Sequence, residues 1–171
     1  MNLTWKKMGV FCPTYLLKNG EQALFRLETT GRYFSSNPSW IMFNDSFALE
    51  LESDFSREPR QIIDARSKEP IAEISCGLQG LMALRKDRHG SLGKVVTRGG
   101  DDFQMELVAR SQEGVKITAQ SGSKSLRVEL HGKVVTLTTD IDLSDRYAAA
   151  VCLAVSSWFL CSGGAIRQFT K

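Results

Sequence analysis

Ser144-Asp-Arg-Tyr-Ala-Ala-Ala-Val-Cys-Leu-Ala-Val-Ser-Ser-Trp-Phe-Leu-Cys-Ser-Gly-Gly164 is the stretch on which the architecture turns. Ser144 can cap a helix, Asp145 suits the positive end of the helix dipole, the alanines favour helix and Gly163-Gly164 can end it. One helix of roughly four to five turns is predicted. Between Tyr147 and Cys161 the only polar side chains are Ser156 and Ser157, which can bond back to a carbonyl one turn earlier. Such a helix has no solvent face and must be enclosed by protein or by lipid. Its apolar core is shorter than the roughly 20 residues a membrane span needs, so protein is the expected enclosure.

The chain ahead of it supplies the wall. From about Leu24 to Thr139 the sequence is a succession of short alternating runs separated by Gly, Asn, Asp, Ser and Pro, the signature of antiparallel strands with one solvated face. Phe103-Gln-Met-Glu-Leu-Val-Ala-Arg110 puts Phe103, Met105, Leu107 and Ala109 on one face, with Val108 the exception on the other. Val115 to Ala119 and Leu126 to Leu130 repeat the pattern. Earlier candidate strands are Trp40 to Phe43, Phe47 to Glu52, Arg60 to Ala65, Pro70 to Ser75, Leu81 to Arg85 and Leu92 to Arg98. With a short strand around Val10 the expected total is about eleven or twelve. Turn residues at Asp87-Arg-His-Gly90, Arg98-Gly-Gly-Asp101, Gln112-Glu-Gly114 and His131-Gly132 are spaced for hairpins, not βαβ crossovers. Strands with one apolar face need something to cover, and the helix needs something around it. A mainly β fold follows: a closed antiparallel barrel of about twelve strands around a central hydrophobic C-terminal helix.

At 171 residues the chain suits one domain, with 42% apolar and 24% charged residues excluding both a disordered chain and a membrane-dominated one. A net charge of +3 is compatible with a polyanionic partner but falls short of a dedicated nucleic-acid binder, so no nucleic acid is expected. Cys12, Cys76, Cys152 and Cys161 include no CxxC pair, and two lie in the apolar stretch, which suggests neither a zinc site nor a disulfide framework. The N-terminal Met1-Asn-Leu-Thr-Trp-Lys-Lys7 does not read as a secretory signal, and a cytoplasmic location is expected.

Catalytic chemistry is sparse. The two histidines, His89 and His131, each sit beside a turn glycine, and no GxSxG, HExxH or CxxC occurs. Gly90-Ser-Leu-Gly-Lys94 is too short before its Gly-Lys for a phosphate loop and reads as a hairpin. Asp140-Ile-Asp142 with Asp145 lacks the glycine and glutamate of a calcium loop and reads as the approach to the helix. No catalytic residue, metal or cofactor is expected, and the protein reads as a non-enzyme.

The remaining feature is a basic cluster, Arg85, Lys86, Arg88, Lys94 and Arg98 beside His89, opposed by Asp87 alone and folded by the intervening turn into one hairpin. Such cations can attract lipid head groups or other phosphates; equally, they can be gatekeeping charges on a solvated hairpin. Lys124, Arg127 and Lys133 form a second group, interrupted by Glu129.

Ile63-Asp-Ala-Arg66 followed by Pro70-Ile-Ala-Glu-Ile74 as strand, turn and strand, then Val134 to Thr139 running into the helix at Asp145, resembles the tubby C-terminal-like superfamily. Within it the length and order are similar to the LURP-one-related and phospholipid scramblase branch, without the Pro-rich and Cys-rich N-terminal region of scramblases. The resemblance covers most of residues 24 to 162 of a single domain, 1–171. It implies a closed barrel around a hydrophobic helix, and a binding module that meets phosphoinositides or anionic membrane surfaces from the cytoplasmic side as a peripheral protein; a monomer is expected. The alternatives are a scramblase-like lipid transporter whose helix inserts into the bilayer, or a signalling scaffold with a protein partner and no lipid preference. A small-ligand barrel is less suited, because a helix in the lumen leaves little room.

Overall fold

The computed structural model describes residues 1–9, 13–29, 39–51, 59–75, 89–110 and 114–161. They form twelve strands and one helix: β1 (Asn2–Met8), β2 (Thr14–Asn19), β3 (Gln22–Thr29), β4 (Trp40–Phe43), β5 (Ala48–Leu51), β6 (Arg60–Asp64), β7 (Pro70–Ser75), β8 (His89–Thr97), β9 (Asp102–Arg110), β10 (Gly114–Ser121), β11 (Lys124–His131), β12 (Val134–Thr139) and α1 (Arg146–Leu160). Each strand pairs antiparallel with its sequence neighbours, and β1 returns to pair with β12, closing the barrel. The expected fold class is therefore the one observed.

The closing seam joins Asn2↔Thr138, Leu3↔Leu137, Thr4↔Thr136 and Trp5↔Val135. Along β11, Leu126, Val128 and Leu130 are buried and alternate with less buried Arg127 and Glu129; Phe103, Met105 and Leu107 do the same on β9. Twelve strands about 4.8 Å apart and tilted by about 40° close into a wall roughly 24 Å across. That lumen is too wide for wall side chains alone to fill and suits a helix about 10–12 Å in diameter. Helix α1 occupies it, packed against β5, β7, β8, β10 and β11. Every residue from Ala148 to Leu160 is buried. Each large apolar side chain among them contributes about 1.5–3 kcal/mol by leaving water.

Several local expectations change. The barrel begins at Asn2 and includes β1 and β2, ahead of Leu24, where the alternating pattern becomes clear. Asp145, not Ser144, caps the helix, accepting the Ala148 amide at 3.1 Å. Gly90 to Lys94 is no hairpin: it lies inside β8, where a bulge between Ser91 and Gly93 takes up the extra residue against β9. His89 and Gly90, expected in a turn, also belong to β8. The expected strands at Val10 and at Leu81 to Arg85, and the helix stop at Gly163-Gly164, lie outside the described residues.

Strand direction divides the barrel into two ends. At the end where β12 finishes and α1 starts, the connections are tight: Gly20-Glu21 and Gly122-Ser123 are two-residue hairpin loops. At the other end lie the start of β12, the finish of β1 and Leu160 of the helix. The Gly132-Lys133 loop is here, its Gly132 at φ 61, a conformation that matches hairpin twist and that other residues resist.

Candidate anion-binding groove

The acidic residues around the helix start are occupied structurally. Asp140 accepts Ser125 N–H at 2.8 Å and Ser125 Oγ–H at 3.1 Å, and these bonds hold its carboxyl below the usual range. Asp142 accepts Ser144 N–H at 3.0 Å, with the same consequence. Asp64 turns the β6–β7 connection by accepting the Ser67 and Arg66 amides, both at 2.8 Å, and its pKa is lowered chiefly by the Ser67 amide. Arg146 approaches Glu69 at 3.7 Å and lies over the Tyr147 ring, fastening the helix start to that turn. No group of three metal-ligating side chains occurs among the described residues.

Neither described thiol, the buried Cys152 or the partly buried Cys161, is suited to nucleophilic chemistry. Cys152 is fully buried, and burial pushes its pKa up to about 12, while Cys161 is also raised well above its ordinary value by burial. Arg60, 2% exposed, lies 5.9 Å from the Trp158 ring near the last turn of α1.

Of the basic residues singled out from sequence, Lys94 and Arg98 are described, while Arg85, Lys86 and Arg88 lie outside the described residues. Lys94 points outward from β8 and faces Asp102 at 3.7 Å. Arg98 follows the last residue of β8, in the turn at the helix-start end, where its backbone N–H donates to Ile71 O at 2.8 Å. Four residues of extended chain, roughly 13 Å, separate the two. In the second group, Lys124 is held by Asp101 at 2.7 Å and Arg127 by Glu129 at 3.0 Å, with His131 also bonded to Glu129 at 3.0 Å.

Lys133 belongs to a different assembly. A groove of about 420 Å³ runs over the closing seam, lined by Asn2, Thr4, Trp5, Lys6, Lys7, Lys18, Gly20, Glu21, Lys133 and Val134. It brings together four lysines and one carboxylate, Glu21, which meets Lys18 at 3.4 Å from a fully exposed position. Strand alternation explains Lys6, whereas Lys7, in step with Leu3 and Trp5, is exposed near the end of β1. Leu3 and Trp5 point into the core, so Thr4 and Lys6 point outward. The register pairs Thr4 with Lys18 and Lys6 with Leu16, making Lys6 and Lys18 diagonal neighbours on the outer face, roughly 7–8 Å apart.

The groove reaches the Gly132-Lys133 turn, where β12 begins. Continuing the β1–β12 register past its last pair, Trp5↔Val135, would bring Val134 opposite Lys6 and Lys133 opposite Lys7. The pairing stops short of that position, because Lys133 is the second residue of the two-residue turn that joins His131 to Val134. Lys7 and Lys133 are both exposed there, beside Val134 at 49% exposure. The sequence reading missed Lys6, Lys7 and Lys18; the Lys6-Lys7 pair was a visible signal, but its partner strands were not. Compared with family models, curated proteins and solved structures, the chain matches none of them.

Proposed function

We propose that the protein is a non-enzymatic, tubby-like binding module that engages anionic membrane surfaces or phosphoinositides through the outer wall of its barrel. The observation that carries this reading is the groove itself, which is lined by Lys6, Lys7, Lys18 and Lys133 and by a single carboxylate, Glu21. A lysine near an anionic bilayer contributes about 1 kcal/mol, so the four together are enough to hold a peripheral protein while binding stays salt-sensitive. The exposed Val134 gives the same face an apolar contact at the rim. The tubby-like reading is supported by the closed twelve-strand barrel and its enclosed C-terminal helix. The basic cluster at Arg85, Lys86, Arg88, Lys94 and Arg98 remains a second proposed contact for phosphate or lipid head groups.

The transporter alternative is less favoured because α1 is enclosed by the wall, and among the described residues no helix is long and apolar enough to cross a membrane. Co-sedimentation with vesicles tests the proposal. Neutral phosphatidylcholine vesicles should leave the protein in solution, and vesicles containing anionic lipid should pull it down less efficiently as salt is raised. Each Lys→Gln change at positions 6, 7, 18 and 133 should weaken partitioning about fivefold. Equal binding to neutral and anionic vesicles, or full binding by the fourfold variant, would defeat the assignment of this groove.

A further inference from the structure

We infer that the groove takes a single multiply charged phosphate group that bridges both sides of the closing seam, so that its occupancy holds β1 in the barrel and the helix in its seat. This rests on reading the groove as an anion site.

The groove's cations come from chain segments far apart in sequence: Lys6 and Lys7 from β1, Lys18 from β2 and Lys133 from the β11–β12 loop. Lys6 and Lys18 lie on the β1–β2 hairpin, whereas Lys133 belongs to the other side of the seam. Only an anion that reaches Lys133 together with Lys6 or Lys7 ties the two sides together. Without one, the like charges of Lys7 and Lys133 are left together in the groove, and closure rests on the four register pairs of β1 with β12 and the two bonds exchanged by Met1 and Thr139, at 2.7 and 3.0 Å.

The strand beneath the groove also holds the helix. Lys6 faces the groove while the adjacent Trp5 faces the lumen, where its Nε1–H donates to Ser156 Oγ of α1 at 3.0 Å. The two side chains occupy opposite faces of one strand, so β1 cannot leave the seam without breaking the bond to the helix. Any ligand that binds only the closed seam stabilises that closure by mass action. Anion binding outside and helix retention inside are thereby linked through β1.

A multiply charged phosphate can be a soluble polyphosphate or a lipid head group, and hydrogen exchange on the full chain distinguishes these sources. The probes are inositol hexakisphosphate, inorganic pyrophosphate and vesicles containing phosphatidylinositol bisphosphate, each also measured for binding by calorimetry or sedimentation. At ten times the dissociation constant, local opening of Leu3, Trp5, Val135 and Leu137 amides that exchange through the seam should slow about elevenfold, with little change between β9 and β10. Lys133→Gln should retain binding to the β1–β2 side but lose most of this protection; its exchange pattern without ligand verifies the fold.

Protection by a soluble probe without vesicle binding supports the seam bridge and overturns the membrane reading. Protection by vesicles alone supports the bridge with a lipid head group as its source. Binding that leaves seam exchange unchanged, or protects Lys133→Gln as fully as the native chain, overturns the bridge while the anion-binding reading stands. Failure of all three probes to bind at low salt overturns both.

Discussion

Replacing Ser156 by alanine removes the acceptor for Trp5 Nε1–H, a buried 3.0 Å hydrogen bond between residues 151 positions apart. The net value of such a bond is about 1 kcal/mol, and leaving the indole N–H buried without its acceptor brings the cost to about 2 kcal/mol. For a chain of this size that lowers Tm by about 4–8 °C. Trp5→Phe removes the other partner and some packing volume, at a cost of about 2–3 kcal/mol. The double variant should be less destabilised than the sum by about 1 kcal/mol, because neither residue then leaves an orphaned partner. Urea unfolding of the four proteins, at matched m-values, measures the cycle. Strict additivity within about 0.3 kcal/mol would show that β1 and α1 are not coupled through this bond.

Two other measurements follow from the geometry. Gly114→Ala should cost about 2–3 kcal/mol, because Gly114 has φ +80 and a Cβ would lie 2.5 Å from the Leu130 carbonyl oxygen; Gly122→Ala, at φ +57 with open space around it, should cost about 1 kcal/mol. Equal Tm losses would contradict the close approach. The depressed carboxyls of Asp64, Asp140 and Asp142 contribute stability that is complete above the unfolded carboxylate pKa, about pH 4, and is lost as pH falls through their lower folded values. Thermal melts between pH 5 and 2 should therefore fall less steeply for Asp140→Asn with Asp142→Asn than for the native chain, and an unchanged slope would remove those bonds as the cause.

The lysine groove was hard to read because nothing about Lys6, Lys18 or Lys133 distinguishes it locally from a charge on a solvated strand face. Lys6-Lys7 precedes the clear alternation, and β1 shows just two inward residues, Leu3 and Trp5, before it reaches the rim. The basic cluster was proposed from nearness in sequence. Yet the two members described, Lys94 and Arg98, are separated along extended chain, with Lys94 facing Asp102. A similar distinction applies to the two serines of α1. Ser157 bonds back to Ala154 O at 2.7 Å, as a helical serine can by itself, whereas Ser156 is bonded by a tryptophan from the other end of the chain.

By itself the sequence determined that a helix with no polar face had to be walled in, and that strands with one apolar face were available to do it. Periodicity carries this information because it records, residue by residue, which side must avoid water. Tertiary structure alone decided where the wall closes, with residues 2–5 against 135–138, and hence which lysines share a groove. Register across a seam depends on how twelve strands sum around a closed circuit, and no local pattern contains that sum.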